Sequence, residues 1–379
     1  MAFVARWLPN KVVAAKPTRS TVEPMQIRVS LLFPALLLAA SACGEEKKAL
    51  QHGPAELSHS HLEVRRVSGR VLAQGEFLGR PGRVEQFGDD LVVLDDLGEA
   101  AVHIISARDG RRVRSVGRRG GGPGEFRSAW AITRDPADPR SAWVYDVQLG
   151  RLTRVNLATA GNATNPEIIN LIGGPNASQP LWVHDTLLVT PNFSADARLA
   201  YFGRDGRFRR SAGVAPSDNR GTPVSVLQQA WMGKLASHPS GDRLVLATQY
   251  ADQLEIYAAD GSMLKKVRGP FRFDPLFKVA NAAGMATMTF EDGIRMGYSD
   301  VIATDEQIFA LFSGRTREGY GGNSPFGRYV HIFNWEGDLQ HILELDADVI
   351  SIALSEDGRS LYGVAETPEP VIMAFDLED

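Results

Sequence analysis

The sequence predicts an all-β fold: a six-bladed β-propeller of four-stranded antiparallel blades, closed by an N-terminal strand. Three observations lead to this prediction. A hairpin signature recurs along the chain, a short apolar run recurs six times upstream of such hairpins, and the last copy lacks one strand.

The hairpin signature is an apolar or aromatic run, a turn of an acidic residue and glycine, and a second run with alternating side chains. Its turns lie at residues 109–110, 205–206, 260–261 and 336–337. Glycine supplies the positive φ angle that a tight hairpin turn needs. Each copy therefore predicts two adjacent antiparallel strands.

The second recurring element is a short run rich in β-branched and aromatic residues. Its copies begin at residues 91, 142, 186, 243, 307 and 360, so consecutive starts lie 51, 44, 57, 64 and 53 residues apart. A polar turn precedes each run, and another strand often precedes that turn. Four strands per unit and six units describe a propeller, because a barrel would need alternating helices and a sandwich would not repeat in this way. Residues 276–290 interrupt the pattern, and we expect one helical turn or more there.

The end of the chain predicts how the ring closes. The sixth unit stops at "VIMAFDLED", one strand short, while a spare strand lies near residues 62–69 or 70–74. Exposed sheet edges invite unwanted pairing, so the spare strand is expected to complete the sixth blade. The propeller would then span residues 60–379.

The stretch "GRRGGGPGEFRSAWAITRD" and the following "SAWVYDVQLGRLTRVN" resemble the NHL repeat of six-bladed propellers. "ASHPSGDRLVLAT" is more similar to TolB-like propellers. Alanine at 129 replaces the proline that is usual in the NHL repeat. The resemblance implies a fold and little chemistry, because propellers host unrelated functions. The matching positions are 120–124, Phe126, Asp146 and Arg151, with Asp95 as the equivalent aspartate of the first unit.

The N-terminal part carries an export signal. From Met25 the chain has Arg28, an apolar run at 31–39, three small residues and then Cys43. The run is too short to span a bilayer, so residues 1–42 are interpreted as a signal region whose true start is Met25 or Met1. The small residues before the cysteine resemble the lipobox of bacterial lipoproteins, where that cysteine is diacylated and becomes the N-terminus. An ordinary signal peptide is the alternative.

This resemblance gives the expected location. Gly44, in place of aspartate, resembles lipoproteins that are sent to an outer membrane. Residues 43–59 lack apolar periodicity and are interpreted as a lipidated tether. We therefore expect an exported protein that is anchored by lipid in the bacterial cell envelope, at the outer membrane.

Charge and cysteine content narrow the classes of partner. The whole chain carries a formal net charge of −4, and residues 1–42 carry +4, so the chain without them carries −8. No polybasic tract is present, which argues against binding to nucleic acid. The single cysteine excludes an intrachain disulfide and a cysteine-based zinc cluster.

Motifs for catalysis are weak. The glycine-rich loop at 120–124 lacks the Gly-Lys-Ser/Thr of a phosphate-binding loop and is interpreted as a connector between blades. No Gly-x-Ser-x-Gly elbow and no His-Glu-x-x-His pair occur. No cofactor is predicted, and the presence of a metal stays open, with calcium as the candidate ion. Minor candidates for ligand contact are Arg118, Arg119, Asp95, Asp96 and Asp146, the three aspartates being interpreted first as turn-stabilising residues.

Loop lengths indicate a binding face. The long segments 191–197, 212–229, 269–298 and 313–328 all fall on one face of the predicted propeller. Insertions on one face of a repeat fold usually mark its binding surface. The segment 313–328 combines glycines with arginine and aromatic residues that suit recognition, and a disordered surface loop is the alternative. Its candidate binding residues are Arg315, Arg317, Tyr320, Phe326 and Arg328.

The sequence thus favours a monomeric binding or scaffold protein over an enzyme. The expected partner is a protein, a peptide or a glycan at the cell envelope, besides the membrane that the lipid anchor contacts. The alternative is a hydrolase or lyase of the lactonase type, with a metal at the central channel.

Replacing Cys43 with alanine tests the lipid anchor. We expect Cys43→Ala to move the protein from the membrane fraction to the soluble exported fraction, because the acylated thiol is the predicted attachment point. Fractionation of producing cells followed by immunoblotting measures this, with Ser41→Ala as the matched control. Unchanged membrane fractionation of Cys43→Ala would contradict the lipoprotein interpretation.

Overall fold

The described part of the chain comprises residues 54–158, 165–184, 187–192, 197–366 and 368–378 of a computed structural model. The predicted signal region and Cys43 lie outside these residues. Twenty-six strands, two short α-helices and one 3-10 turn occur in the described part.

The strands are grouped into six blades. Before the first blade come β1 (Arg65–Val67) and β2 (Gly69–Gln74). Blade one contains β3 (Pro81–Phe87), β4 (Asp90–Asp95), β5 (Val102–Ser106) and β6 (Arg112–Val116). Blade two contains β7 (Ala129–Arg134), β8 (Ser141–Asp146), β9 (Arg151–Asn156) and β10 (Ile168–Asn170). Blade three contains β11 (Leu181–Val183), β12 (Leu187–Pro191), β13 (Ala197–Gly203) and β14 (Phe208–Val214).

The remaining blades follow helix α1 (Val224–Ala230). Blade four contains β15 (Gly233–Ser237), β16 (Arg243–Thr248), β17 (Gln253–Ala258) and β18 (Met263–Arg268). A separate hairpin, β19 (Phe277–Ala282) and β20 (Met285–Phe290), comes next. Blade five contains β21 (Tyr298–Ala303), β22 (Gln307–Phe312), β23 (Gly327–Asn334) and the first part of β24 (Leu339–Leu354). Helix α2 (Arg317–Tyr320) and a 3-10 turn (Gly321–Asn323) lie between β22 and β23.

The long strand β24 joins blades five and six. Its 16 residues pair first with β23 and then with β25 (Ser360–Glu366), which pairs with β26 (Pro370–Asp376). The N-terminal strand β2 then pairs antiparallel with β26, with Gly69 opposite Phe375 and Arg70 opposite Ala374. Blade six is therefore completed by the strand at 70–74, one of the two predicted positions. Strand β1 adds a parallel fifth strand beside β24 in blade five.

The inner strands form a closed ring. Neighbouring blades contact each other through their inner strands, in the order β3, β7, β11, β15, β21 and β24. Strand β24 contacts β3, which closes the ring. The predicted all-β propeller with six antiparallel blades is thus confirmed.

The predicted hairpin turns carry the expected backbone geometry. The φ angles of Gly110, Gly206, Gly261 and Gly337 are 72°, 75°, 85° and 82°. An L-residue with a side chain rarely adopts this region, so glycine is favoured at these turns. The tight turns of the blade hairpins therefore account for the repeated pairs of an acidic residue and glycine.

The glycine-rich stretch is a connector between blades one and two. Phe126 is 2% exposed in the apolar layer between these blades, and a Cβ atom on Gly117 would lie 2.6 Å from its ring. Arg151 donates hydrogen bonds to the carbonyl oxygens of Gly121, Gly122 and Glu125 at 2.6–3.2 Å. The arginine of the motif thus holds the loop in place.

The segment 276–290 is a hairpin, so the expected helical turn is wrong. Its turn residues, Ala283 and Gly284, have φ angles of 50° and 80°. Two consecutive positive φ angles make the tight turn that links antiparallel strands, and a right-handed helix cannot contain them. The described helical residues lie elsewhere, in α1 before blade four and in α2 and the 3-10 turn between β22 and β23. No described helix has the length and the apolar character needed to cross a membrane.

The closing strand gives a matched pair of stability variants. Leu72 is 7% exposed and packs in the core between blades six and one, while its neighbour Val71 is 48% exposed. We expect Leu72→Ala to lower the free energy of unfolding by about 2–5 kcal/mol, because it opens a cavity at the closure. Val71→Ala should change it by less than about 1 kcal/mol. Urea denaturation measures both, and equal effects would argue against closure through β2.

Candidate binding site at the propeller axis

Five polar or aromatic side chains from four blades meet near the propeller axis. Blade one contributes Arg83 and Glu85, which share one face of β3 because side chains alternate along a strand. Blade two contributes Trp130 from β7, blade four Lys234 from β15, and blade five Asp300 from β21. We call these residues the axial cluster.

An ion pair links blades one and five within the cluster. The Nη1 atom of Arg83 lies 2.8 Å from Oδ1 of Asp300, and their side chains are 10% and 1% exposed. The Asp300 carboxylate also accepts hydrogen bonds from the Ser351 hydroxyl at 2.7 Å and from the Ile352 N–H at 3.0 Å. Because a buried carboxylate needs such partners, Asp300 ties blades one, five and six together.

A cation–π contact links blades two and four. The Nζ atom of Lys234 lies 5.0 Å from the centre of the Trp130 ring, and Trp130 is 50% exposed. Partial burial lowers the pKa of the Lys234 ammonium to about 8, and the Arg83 charge acts in the same direction while Asp300 opposes it. Trp130 therefore presents an accessible aromatic surface beside an ammonium group whose pKa is lowered.

Two buried polar atoms of the cluster have no hydrogen-bond partner in the described structure. They are Nε of Arg83, a donor, and Oε2 of Glu85, an acceptor. Burial raises the pKa of Glu85, although the charges of Arg83 and Arg134 oppose the shift. Unpaired buried groups are rare in proteins and often mark a place where a ligand or water binds.

The cluster is not built like a metal site. Within the described ranges, no three or more His, Cys, Asp or Glu side chains are grouped so that they could hold an ion. Near the axis, two carboxylates face two cationic side chains, so their charges offset. The donor set therefore suits a neutral polar molecule better than a divalent cation, which prefers several oxygen ligands.

The aspartates that the sequence analysis selected hold turns. Asp95 accepts backbone hydrogen bonds from Gly79 at 2.7 Å and Arg80 at 2.9 Å. Burial favours the neutral carboxyl, but hydrogen bonds from His103 and from backbone N–H groups outweigh it and hold the pKa of Asp95 well below its usual range. Asp146 accepts the N–H groups of Arg127 and Ser128 in the same manner.

The other minor candidates lie at the surface. Asp96 pairs with Arg80. Arg118 pairs with Glu125 at 3.2 Å, with 79% of the arginine side chain exposed, and Arg119 is also exposed. None of these three belongs to the axial cluster.

Arg315 of the predicted recognition loop is buried. Its side chain is 1% exposed and pairs with Glu56 at 3.1 Å and with Asp348 at 2.8 Å. It also donates to the carbonyl oxygen of Phe326 at 3.1 Å. Its guanidinium therefore anchors neighbouring segments and leaves little room for direct contact with a partner.

The other candidates of this loop lie nearer the surface. Tyr320 donates to Glu56 at 2.5 Å, and the Arg317 guanidinium lies 4.6 Å above the ring of Phe290. Arg328 pairs with Asp348 at 2.8 Å. Phe326 and Arg328 border a cavity of about 320 Å³ whose other lining residues are Asn323, Asp346, Ala347, Asp348 and Glu366.

Residues 54–61 pack against this loop, and we call them the N-terminal strap. Leu57 donates to the Gly314 carbonyl at 3.1 Å, and Thr316 donates to the Ala55 carbonyl at 2.8 Å. Arg295 donates to the Pro54 carbonyl at 2.9 Å. The described end of the predicted tether, residues 54–59, thus packs against the propeller.

A buried pair of histidines fastens the strap. The Nε2 atoms of His59 and His331 lie 2.9 Å apart, and His59 stacks on Tyr329 with a centroid distance of 3.6 Å. His331 contacts the hydroxyl of Tyr298 at 3.2 Å, and that hydroxyl donates to Asp252 at 2.8 Å. Burial lowers the pKa of His59 to about 4, and the charge of His61 acts in the same direction. Burial also holds the pKa of His331 well below its usual value, and the charge of His59 acts in the same direction.

The long segments meet in one layer. The Gln229 side chain of α1 accepts hydrogen bonds from Thr287 at 3.0 Å and from the Met288 N–H at 3.2 Å. The rings of Tyr250 and Phe290 lie 5.6 Å apart. These contacts, together with that of Arg317, connect α1, the hairpin 277–290, the loop 313–328 and the N-terminal strap. We call these four segments the loop face. The fourth long segment, 191–197, is only partly within the described residues.

Comparisons with known proteins agree with this architecture. A family described as TolB-like 6-blade propeller-like matches residues 65–357. Solved structures of U3-55K and of the RRP9 WD40 repeats share 10% and 9% identity with the chain, each with a TM-score of 0.51; they cover 82% and 83% of this chain and 98% and 99% of their own. A putative exported protein from Bacteroides fragilis shares 8% identity and a TM-score of 0.51, covering 83% of this chain and 95% of its own. At such identities the likeness shows the fold alone, and no curated protein matches the sequence significantly.

The histidine pair makes stability depend on pH. Each imidazole titrates near 6.5 when unfolded and at lower pH when folded, so the unfolded state binds more protons as the pH falls below 6.5. The free energy of unfolding should therefore fall by up to about 1.4 kcal/mol per pH unit for each histidine. For His59 this loss ends near pH 4. Above pH 6.5 both histidines are mostly neutral in the folded and the unfolded state, so neither makes the free energy of unfolding depend on pH.

We expect His59→Phe to flatten this profile, since it removes one titrating group while keeping a ring against Tyr329. Urea denaturation at pH 7.5, 6.0 and 4.5 measures the slope. The other titratable groups facing the pair are His61, Tyr298, Tyr329 and Asp252, and they are unchanged in this variant. The exposed His341→Asn serves as the control, and equal slopes in all three proteins would refute the assignment.

Proposed function

Because the chain belongs to the TolB-like six-blade propeller family, we propose that it is a binding protein that engages a partner through its loop face. The partner class is a protein, a peptide or a glycan, as the loop lengths suggest. A propeller is a rigid support on which such loops are held in fixed positions.

One observation carries this proposal: the hairpin 277–290 is fixed to the propeller yet exposes apolar side chains. Val279, Met285 and Phe290 are 49%, 60% and 38% exposed. The hairpin pairs with no blade in the described structure, and α1 covers the β20 side through Gln229. An exposed apolar patch on a fixed element is typical of interaction surfaces, and a free strand edge can accept a partner strand.

Charge supports a protein or peptide partner with basic residues. The cavity beside Phe326 is bordered by Asp346, Asp348 and Glu366; Asp348 is paired with Arg328 and with the buried Arg315, so Asp346 and Glu366 give the cavity its negative charge. The chain without residues 1–42 also carries a net charge of −8. Complementary charge speeds association and suppresses wrong partners, so a basic segment would be favoured at this end of the loop face.

The proposed location is the cell envelope, with a lipid on Cys43. The signal region, the position of the only cysteine and Gly44 support export and an outer-membrane destination. The likeness to an exported propeller is compatible with this location. Pro54, the first described residue of the strap, follows Cys43 by 11 positions in the sequence.

The alternative of a channel hydrolase or lyase gains no support from the described residues. In the axial cluster Asp300 pairs with Arg83 and also uses its oxygens on Ser351 and Ile352. A general base must reach a substrate proton, and the paired Asp300 has little freedom to do so.

Substitutions on the hairpin test the proposal. We expect full-length protein with Val279→Asp and Met285→Asp to retain less than about a tenth of the envelope partner that the wild type retains in a pull-down from producing cells, because the charges disrupt an apolar contact. The matched control is Leu264→Asp, on β18 of blade four, where Leu264 is 55% exposed. Equal retention by the hairpin variant and the wild type would contradict binding through this surface.

A further inference from the structure

The axial cluster offers a binding surface that is separate from the hairpin. Trp130 and Lys234 are the second residues of β7 and β15, and Arg83 and Asp300 are the third residues of β3 and β21. Inner strands begin at the connectors between blades, so these positions lie toward the end of the channel that opens on the loop face. The exposed half of the Trp130 side chain makes this end accessible.

The unpaired groups of the cluster are of mixed type. Nε of Arg83 is a donor without a partner in the described residues, and Arg83 is 8% exposed. Oε2 of Glu85 is an acceptor without a partner there. Lys234 adds an ammonium group whose described contact is with the indole ring. A hydroxyl group both donates and accepts hydrogen bonds, so neighbouring hydroxyls can satisfy a donor and an acceptor together.

Charge favours a neutral ligand here. Arg83 and Lys234 oppose a cation, and Glu85 and Asp300 oppose an anion. Asp300 is already fully engaged with Arg83, Ser351 and Ile352, so it cannot serve as the partner of a ligand ammonium group. The remaining requirement is an apolar surface that can lie on the Trp130 ring, because an exposed indole gains free energy when it is covered.

We propose that the channel mouth binds one unit of a neutral saccharide. The sugar ring lies with its C–H face on Trp130, and its hydroxyl groups accept hydrogen bonds from the Lys234 ammonium group beside that ring. A saccharide combines an apolar ring face with adjacent hydroxyls and carries no charge, which matches the three features of the cluster. This site does not depend on partner binding by the hairpin, so the two proposals can fail separately.

Calorimetric titration of the full-length protein tests the inference. The probes are D-glucose, D-galactose, D-mannose and N-acetyl-D-glucosamine, with D-glucuronate and D-glucosamine as the anionic and cationic arms. We expect at least one neutral sugar to bind with a Kd between about 0.1 and 10 mM, the weak range for so small a contact. That sugar should bind at least as tightly as either charged probe.

Three variants locate the binding at the axis. Trp130→Ala should weaken binding by at least about tenfold, and Trp130→Phe should restore part of it because an aromatic face remains. Lys234→Met should weaken binding, because it removes the ammonium group while keeping an unbranched side chain of similar length. Thermal unfolding checks that each variant is folded, and Leu264→Ala on blade four is the control.

Three results would overturn the inference. The first is no binding of any neutral probe up to 50 mM, on the order of the weakest affinities that titration resolves. The second is equal affinity of Trp130→Ala, Leu264→Ala and the wild type. The third is tighter binding of a charged probe than of every neutral probe, which would make charge the recognised feature.

Discussion

Closure of the ring is the constraint on which the rest of the structure depends. Blade six takes its inner strand from β24, two strands from the C-terminus and its outer strand from β2. A sheet left open at this point would expose unpaired N–H and C=O groups and would let neighbouring blades separate. The axial cluster exists only in the closed ring, since Arg83 and Asp300 are 217 residues apart in the chain.

The closure also explains how the strap reaches the loop face. Residues 54–61 precede β1, which runs parallel to β24 in blade five and leads into β2, so the strap lies beside that blade. There Arg315 pairs with Glu56 and Asp348, and His59 enters an aromatic site against His331. Burying a charged guanidinium is costly unless it is fully paired, so the strap and the loop 313–328 stabilise each other. The arginine that looked like a recognition residue is therefore part of the scaffold.

The sequence predicted the fold because its signals are local and repeated. Acid-glycine turns, strand periodicity and the missing sixth-blade strand each report backbone geometry that any chain must satisfy in the same way. The hairpin at 277–290 is hard to predict because alanine and methionine favour helices, and helix propensity does not report the positive φ angles of Ala283 and Gly284.

The axial cluster could not be found in this way. Its residues come from separate blades and carry no common motif, and their meeting depends on which side chain of each inner strand faces the axis. The histidine pair has the same origin, because His59 precedes the propeller and His331 lies on its fifth blade. A site built from several blades can be located only once the arrangement of the blades around the ring is known.

The two proposed surfaces are physically connected. Lys234 of the axial cluster follows α1 by a few residues, and α1 holds the hairpin through Gln229. A partner that docks on the hairpin therefore rests on the same support that positions the ammonium group over Trp130.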